Sequence, residues 1–173
     1  YADFLQENIF GPLGMKDTSF YPMGSQLERL ATPYRKDDAT GQLAPGSPRR
    51  GRGMRNYPPM ASGGLYSTAG DYSQFARMLL NGGKLNGKRY LSATAIKLLS
   101  TPQTGELPTG FFQEPARGNY GANYGWGIGT CVLRTPHAGV AEMLSPGTYG
   151  HGGAWGTQAW IDPVKGVAYI LMV

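Results

Sequence analysis

The clearest hydrophobic pattern lies near the C-terminal end of the chain. Residues 166–173 are an almost unbroken apolar run, and residues 157–162 before them are rich in β-formers. Together they predict a strand pair. Asp162-Pro163-Val164-Lys165 between them reads as a turn, with proline fixing one φ and Gly166 free to take a positive one. Residues 124–132 alternate glycine with larger side chains, which predicts a strand packed closely against a neighbour.

The helical signals lie further forward. Ala2, Leu5 and Ile9 share one helical face over residues 2–10, and Gly11-Pro12 is expected to end that helix. Residues 13–20 then form a compact turn with an apolar anchor on each side. Thr68 is placed as an N-cap with Asp71 at the third helical position. Tyr72, Phe75, Ala76 and Leu79 follow at i, i+3, i+4 and i+7, one buried stripe, and Asn81-Gly82-Gly83 stops the helix. Ser92 is expected to cap a further helix through Leu99, ended before Pro102. Residues 21–60 read mainly as loop, with 31–34 the best extended piece, and residues 101–123 read as a long loop. With helices first and an antiparallel three-strand run last, the expected class is α+β: an antiparallel sheet with helices packed on it. No internal repeat is visible.

Composition adds bounds to this picture. The 173 residues are 40% hydrophobic and 16% charged, which fits a globular chain rather than a disordered one. No apolar run approaches the roughly 20 residues of a membrane span. Cys131 is the single cysteine, so no internal disulfide framework is available. The net charge is +5, with Arg49, Arg50, Arg52 and Arg55 in one loop beside Tyr57. Without a nucleic-acid module around them, these read as a solvated basic loop or an anion-attracting rim, and no nucleic-acid partner is expected. The chain opens inside a helical pattern and closes inside its most apolar strand, so it is expected to be a fragment of a larger protein.

The main candidate for chemistry is Tyr149-Gly150-His151-Gly152-Gly153-Ala154-Trp155-Gly156-Thr157 at the head of the C-terminal hairpin. Four glycines around one histidine let another group approach the backbone closely. A spare N–H at such an edge can hold an oxyanion. Trp155 and Trp160 are expected in the core or a pocket wall, and His137 exposed in its loop. Two distant histidines and one cysteine offer no metal-ligand spacing, so no metal is expected.

This stretch, with residues 7–18 (Glu-Asn-Ile-Phe-Gly-Pro-Leu-Gly-Met-Lys-Asp-Thr), residues 61–71 and Trp160-Ile161-Asp162-Pro163, resembles the serine β-lactamase and penicillin-binding-protein superfamily. The similarity is to the branch containing class C β-lactamases, DD-peptidases and related esterases, and it covers nearly the whole chain in the right order. The resemblance implies a β-lactamase/transpeptidase-like fold and an acyl-serine mechanism on an ester or amide, with a small molecule or peptide as substrate and no cofactor. That mechanism needs three motifs: a Ser-x-x-Lys, a Tyr-x-Asn or Tyr-x-Ser, and a Lys-Thr-Gly or His-x-Gly. The first is absent, and no tyrosine is followed two positions later by asparagine or serine in a suitable place. None of the lysines has serine three residues before it, and Ser62, in Met-Ala-Ser-Gly-Gly, is no nucleophile elbow.

Residues 1–173 are therefore expected to be the C-terminal part of one β-lactamase-like domain, inactive when isolated. By position, the resemblance matches His151 to the lysine of Lys-Thr-Gly, Gly152 to the threonine and Gly153 to the glycine. Ala154 then supplies an oxyanion-hole N–H, a kind of donor worth on the order of 3 kcal/mol. His151, Gly153 and Ala154 are thus the expected catalytic positions, and Tyr149 and Gly152 the expected substrate-binding ones. Replacing Lys by His, and losing the threonine hydroxyl at Gly152, favours an esterase or peptidase over a true β-lactamase. The family's usual place is periplasmic, membrane-anchored or secreted. A non-catalytic binding or scaffold domain on the same fold is the rival reading. Partnership with the missing N-terminal half or with a second copy is plausible along the apolar final strand.

Overall fold

The computed structural model describes residues 1–46, 58–59, 61, 63–110, 113–114 and 118–173. The arginine-rich loop, Tyr57 and Ser62 lie outside the described residues. The chain divides into two compact units, residues 1–72 with 172–173, and residues 73–171.

The first unit begins with one helical run: α1 (Ala2–Leu5), a π-helical turn (Gln6–Phe10) and α2 (Gly11–Leu13). The helix does not end at Gly11-Pro12, as the sequence pattern suggests. The Gly11 N–H reaches back five residues to the Gln6 carbonyl, and this wider turn lets Pro12 sit near the start of the next turn, where it needs no donor. Gly14, at φ 72°, ends the run instead. Phe10, Leu13 and Met15 are buried.

A polar knot holds the following turn. The Asp71 carboxylate accepts the Asp17 N–H at 2.7 Å and the Thr18 hydroxyl at 2.9 Å, while Ser67 lies 2.8 Å from the same hydroxyl. A short helix, α3 (Ser25–Glu28), and a hairpin of β1 (Tyr34–Lys36) and β2 (Leu43–Pro45) follow. The extended piece expected at 31–34 is therefore found a few residues later.

Helix α4 (Ala69–Leu80) starts where the capping signal places it, since Thr68 Oγ1 accepts the Asp71 N–H at 3.1 Å. Ala76 and Leu79 are buried as the stripe predicts, and Met78, outside the stripe, is fully buried as well. The Gly83 N–H returns to the Met78 carbonyl at 2.9 Å and closes the helix.

In the second unit, β3 (Lys84–Leu85) and β4 (Lys88–Arg89) form a small hairpin around Asn86-Gly87, both at positive φ. Helix α5 (Ala93–Ser100) is capped by Ser92, whose hydroxyl accepts the Ala95 N–H at 3.0 Å. β5 (Gln113–Glu114) pairs with β6 (Gly118–Asn119). The main sheet has five antiparallel strands in sequence order: β7 (Tyr124–Trp126), β8 (Cys131–Leu133), β9 (Tyr149–Gly152), β10 (Gln158–Asp162) and β11 (Val167–Leu171).

Residues 124–132 thus make two strands rather than one, because residues 127–130 turn the chain back, with Gly129 at φ 74°. The close packing predicted there is present: a Cβ on Gly127 would lie 2.1 Å from the Leu99 carbonyl oxygen. One face of the sheet packs Tyr124, Cys131, Leu133 and Trp160 with Ala141 and Leu144. The turn after β10 is organised by Asp162, which is fully buried. Its carboxylate accepts N–H groups from Val164, Lys165 and Ser145 at 3.1, 3.0 and 2.9 Å.

Candidate active site

Strand β9 is the central strand of the sheet, paired with β8 on one side and β10 on the other. The two ladders differ in length. On the β10 side, pairing runs from Tyr149↔Ile161 to Gly152↔Gln158, whereas on the β8 side it stops at Gly150↔Cys131. His151 and Gly152 therefore extend past the end of the β8 ladder.

Two glycines here are required by close packing. A Cβ on Gly150 would stand 2.0 Å from the Ala159 carbonyl oxygen, a backbone atom that cannot move aside. A Cβ on Gly153 would meet Thr157 Oγ1 at the same distance. The chain then turns through residues 153–157. The Gly153 N–H donates to the Thr157 carbonyl at 2.7 Å and the Gly156 N–H to the Gly153 carbonyl at 3.0 Å. Among the described residues, no acceptor takes the Ala154 N–H, and Ala154 is exposed.

His151 is exposed, and its ring lies against Trp126, with centroids 5.7 Å apart and 27° between planes. Its Nδ1 is hydrogen-bonded to the Gly152 carbonyl. A carbonyl can only accept, so Nδ1 carries a proton, and in the neutral ring Nε2 is the lone-pair nitrogen. Gly152 faces Gln158, whose amide nitrogen would be 2.8 Å from an added Cβ.

Tyr149 stands beneath this site rather than in it. It is 2% exposed, and its hydroxyl donates to the Leu79 carbonyl at 3.4 Å. Burial pushes its pKa up to about 12. The substrate contact expected of Tyr149 is thus not available to its side chain, because strand position places that ring in the packed interior.

His137 departs from its expected exposure. Its Nε2 lies 2.7 Å from the Tyr124 hydroxyl and its Nδ1 2.8 Å from the Ala138 carbonyl. The ring also stacks on Tyr120 at 3.9 Å. The carbonyl takes the Nδ1 proton, so Nε2 accepts from Tyr124 when the ring is neutral. Burial, with Cys131 nearby, pushes Tyr124 up to about 12. Burial alone does the same to the Cys131 thiol, which makes it a poor nucleophile.

Trp160, 2% exposed, is core, and Trp155, 40% exposed, lies on the exposed turn. Among the described residues, no three His, Cys, Asp or Glu side chains gather as a metal site, and no helix is long and apolar enough to cross a membrane. Two neighbours of the site were not singled out from sequence, Trp126 and Gln158. Both follow from strand register, which local pattern does not supply.

Solved structures with the β-lactamase/transpeptidase fold superpose on this antiparallel sheet and its helices. Simvastatin synthase LovD from Aspergillus terreus superposes with a TM-score of 0.73 at 21% identity, over 98% of this chain and 42% of that one. EstCE1, a hydrolase with promiscuous acyltransferase activity, gives 0.71 at 21% identity, over 98% and 44%. In sequence, an uncharacterized protein of Mycobacterium tuberculosis is 32% identical over 98% of this chain and 42% of its own length. A sequence model of the beta-lactamase family matches residues 1–173, and the chain belongs to that family. It spans less than half the length of the relatives named here.

Proposed function

We propose that this chain is the C-terminal part of a serine hydrolase that cleaves an ester or amide through an acyl-serine intermediate. On this reading the Ser-x-x-Lys and Tyr-x-Asn motifs lie on a segment upstream of residue 1, and residues 1–173 alone do not turn over substrate. The observation that carries the reading is that the Ala154 N–H has no acceptor among the described residues, on an exposed residue in the turn just past the strand that carries His151.

The chemistry follows from that donor. The serine oxygen attacks the substrate carbonyl carbon, and the carbonyl oxygen takes the negative charge. The Ala154 N–H, together with the N–H of the nucleophile, stabilises that oxygen by on the order of 3 kcal/mol per donor. Collapse expels the alcohol or amine, and water then releases the acyl group. His151 lines the site, its ring oriented by the bond from Nδ1 to the Gly152 carbonyl. Gly152 and Gly153 contribute backbone only, which leaves room for substrate against the strand. The substrate is a small molecule or peptide, and the second half of the site comes from the upstream segment of the same polypeptide or a second copy.

Intact-mass spectrometry after incubation with a fluorophosphonate tests this. The expected result is no adduct on the 173-residue chain and one adduct on the longer polypeptide, mapping outside residues 1–173. A stoichiometric adduct on a serine within these residues overturns the half-site reading. No adduct on either polypeptide supports a non-catalytic domain instead.

A further inference from the structure

Gln158, the first residue of β10, lies directly opposite Gly152 in the sheet register. Its Oε1 accepts the indole N–H of Trp160 at 2.9 Å, and Trp160 is a core residue with little freedom to move. That bond assigns the amide: Oε1 is the acceptor, and Nε2 carries two donor hydrogens. The NH2 group occupies the space where a side chain at position 152 would begin, since an added Cβ would meet Nε2 at 2.8 Å and Oε1 at 3.1 Å. The glycine and the glutamine are therefore complementary: the amide fits because the side chain opposite is missing.

We propose that Gln158 is a specificity-determining residue of this site, whose Nε2–H donates to an uncharged acceptor on the substrate and so selects neutral esters over substrates bearing a free carboxylate. The proposal rests on the hydrolase reading above. A carboxylate gives up strong hydration on binding and needs a fixed positive charge or several donors in return. At the end of β9 there is no lysine and no side-chain hydroxyl: the His151 Nδ1–H is engaged by the Gly152 carbonyl, and position 152 is a glycine. A neutral carbonyl or ether oxygen is satisfied by one amide donor. The Trp126 ring beside His151 adds an apolar wall suited to an uncharged acyl chain.

The test uses the longer polypeptide and two esters of equal acyl length, p-nitrophenyl pentanoate and mono-p-nitrophenyl glutarate, the second carrying a terminal carboxylate. The wild type should favour the neutral ester by at least tenfold in kcat/KM. Gln158→Glu keeps an acceptor for Trp160 and removes the donors, and should raise KM for the neutral ester about fivefold with kcat changed less than twofold. Gln158→Lys places a positive charge at the same point and should move the neutral-to-anionic ratio at least tenfold toward the anionic ester. A structural role alone would lower both activities together and leave that ratio unmoved. A ratio unchanged in the Lys variant, or a wild type that prefers the anionic ester, overturns the proposal. A wild type active on neither ester overturns the hydrolase reading and this proposal with it.

Discussion

The two hairpin turns of the β9–β10–β11 unit are built on opposite principles. In the turn after β10, one buried carboxylate collects three backbone N–H groups, from Val164, Lys165 and Ser145. In the turn after β9, glycines let the backbone bond to itself through Gly153 and Gly156, and the N–H groups of Ala154, Trp155 and Thr157 have no acceptor among the described residues. The first turn gathers donors onto one side chain and serves folding. The second leaves donors unspent, as a site for an oxyanion requires. Turns of similar length in one sheet thus separate stability from chemistry by what becomes of their N–H groups.

The largest expected effect is on the closed turn. Asp162→Ala leaves three N–H groups without their acceptor and should lower stability by about 4 kcal/mol, read as a shift in the urea midpoint. Next, Gly150→Ala forces a Cβ against the Ala159 carbonyl and should cost on the order of 3 kcal/mol. It should disturb the β9–β10 ladder, visible as faster amide hydrogen exchange in both strands.

Ala154→Pro probes the open turn. It removes the spare N–H and should lower kcat of the longer polypeptide about 100-fold, with a urea midpoint close to wild type. Equal losses of stability and activity at Ala154 and Asp162 would erase the contrast between the turns.

Acidity provides a finer test. Burial pushes the Asp162 carboxyl up, but its bonds to the Lys165, Ser145 and Val164 N–H groups outweigh this and hold it below its ordinary value of 3.8. A depressed carboxylate contributes stability above that ordinary value, and the contribution is lost as pH falls through the lower folded value. Between about pH 5 and pH 2, the wild type should therefore lose stability more steeply than Asp162→Asn. The smallest effect expected is at another self-closed terminus, where Thr68→Ala removes the cap on the Asp71 N–H and should cost about 1 kcal/mol by thermal unfolding.

Much of this architecture was legible where a local rule has a local cause. Thr68 and Ser92 cap helices because their hydroxyls reach an N–H three residues on. The Asp162–Lys165 turn was readable from proline and glycine for the same reason. Pro12 misled because a proline is disruptive only in a regular α-turn, and the π-turn before it is set by the geometry of the whole run. Residues 124–132 misled because their glycines serve both close packing and reversal of the chain. Asn86-Gly87 carried a usable hairpin signal that helix and strand periodicity alone passed over.

At the site, the motif placed His151, Gly152, Gly153 and Ala154 on one strand end and its turn, as found. The depth of Tyr149, the stacking of Trp126 on His151 and the pairing of Gln158 with Gly152 were not legible. Each depends on which strand lies beside which, and that information is spread over some 25 residues of sequence separation or more at Trp126 and Tyr149.

The sheet runs β7 to β11 with every strand beside its predecessor in sequence. Such a meander needs only modest loops to close for each new ladder, so its contact order is low and its assembly should be fast. Pulsed hydrogen exchange during refolding should show β9, β10 and β11 gaining protection in one early phase. A strand that presents a reactive backbone would then be set in place by its immediate neighbours in sequence before more distant parts of the polypeptide have been gathered.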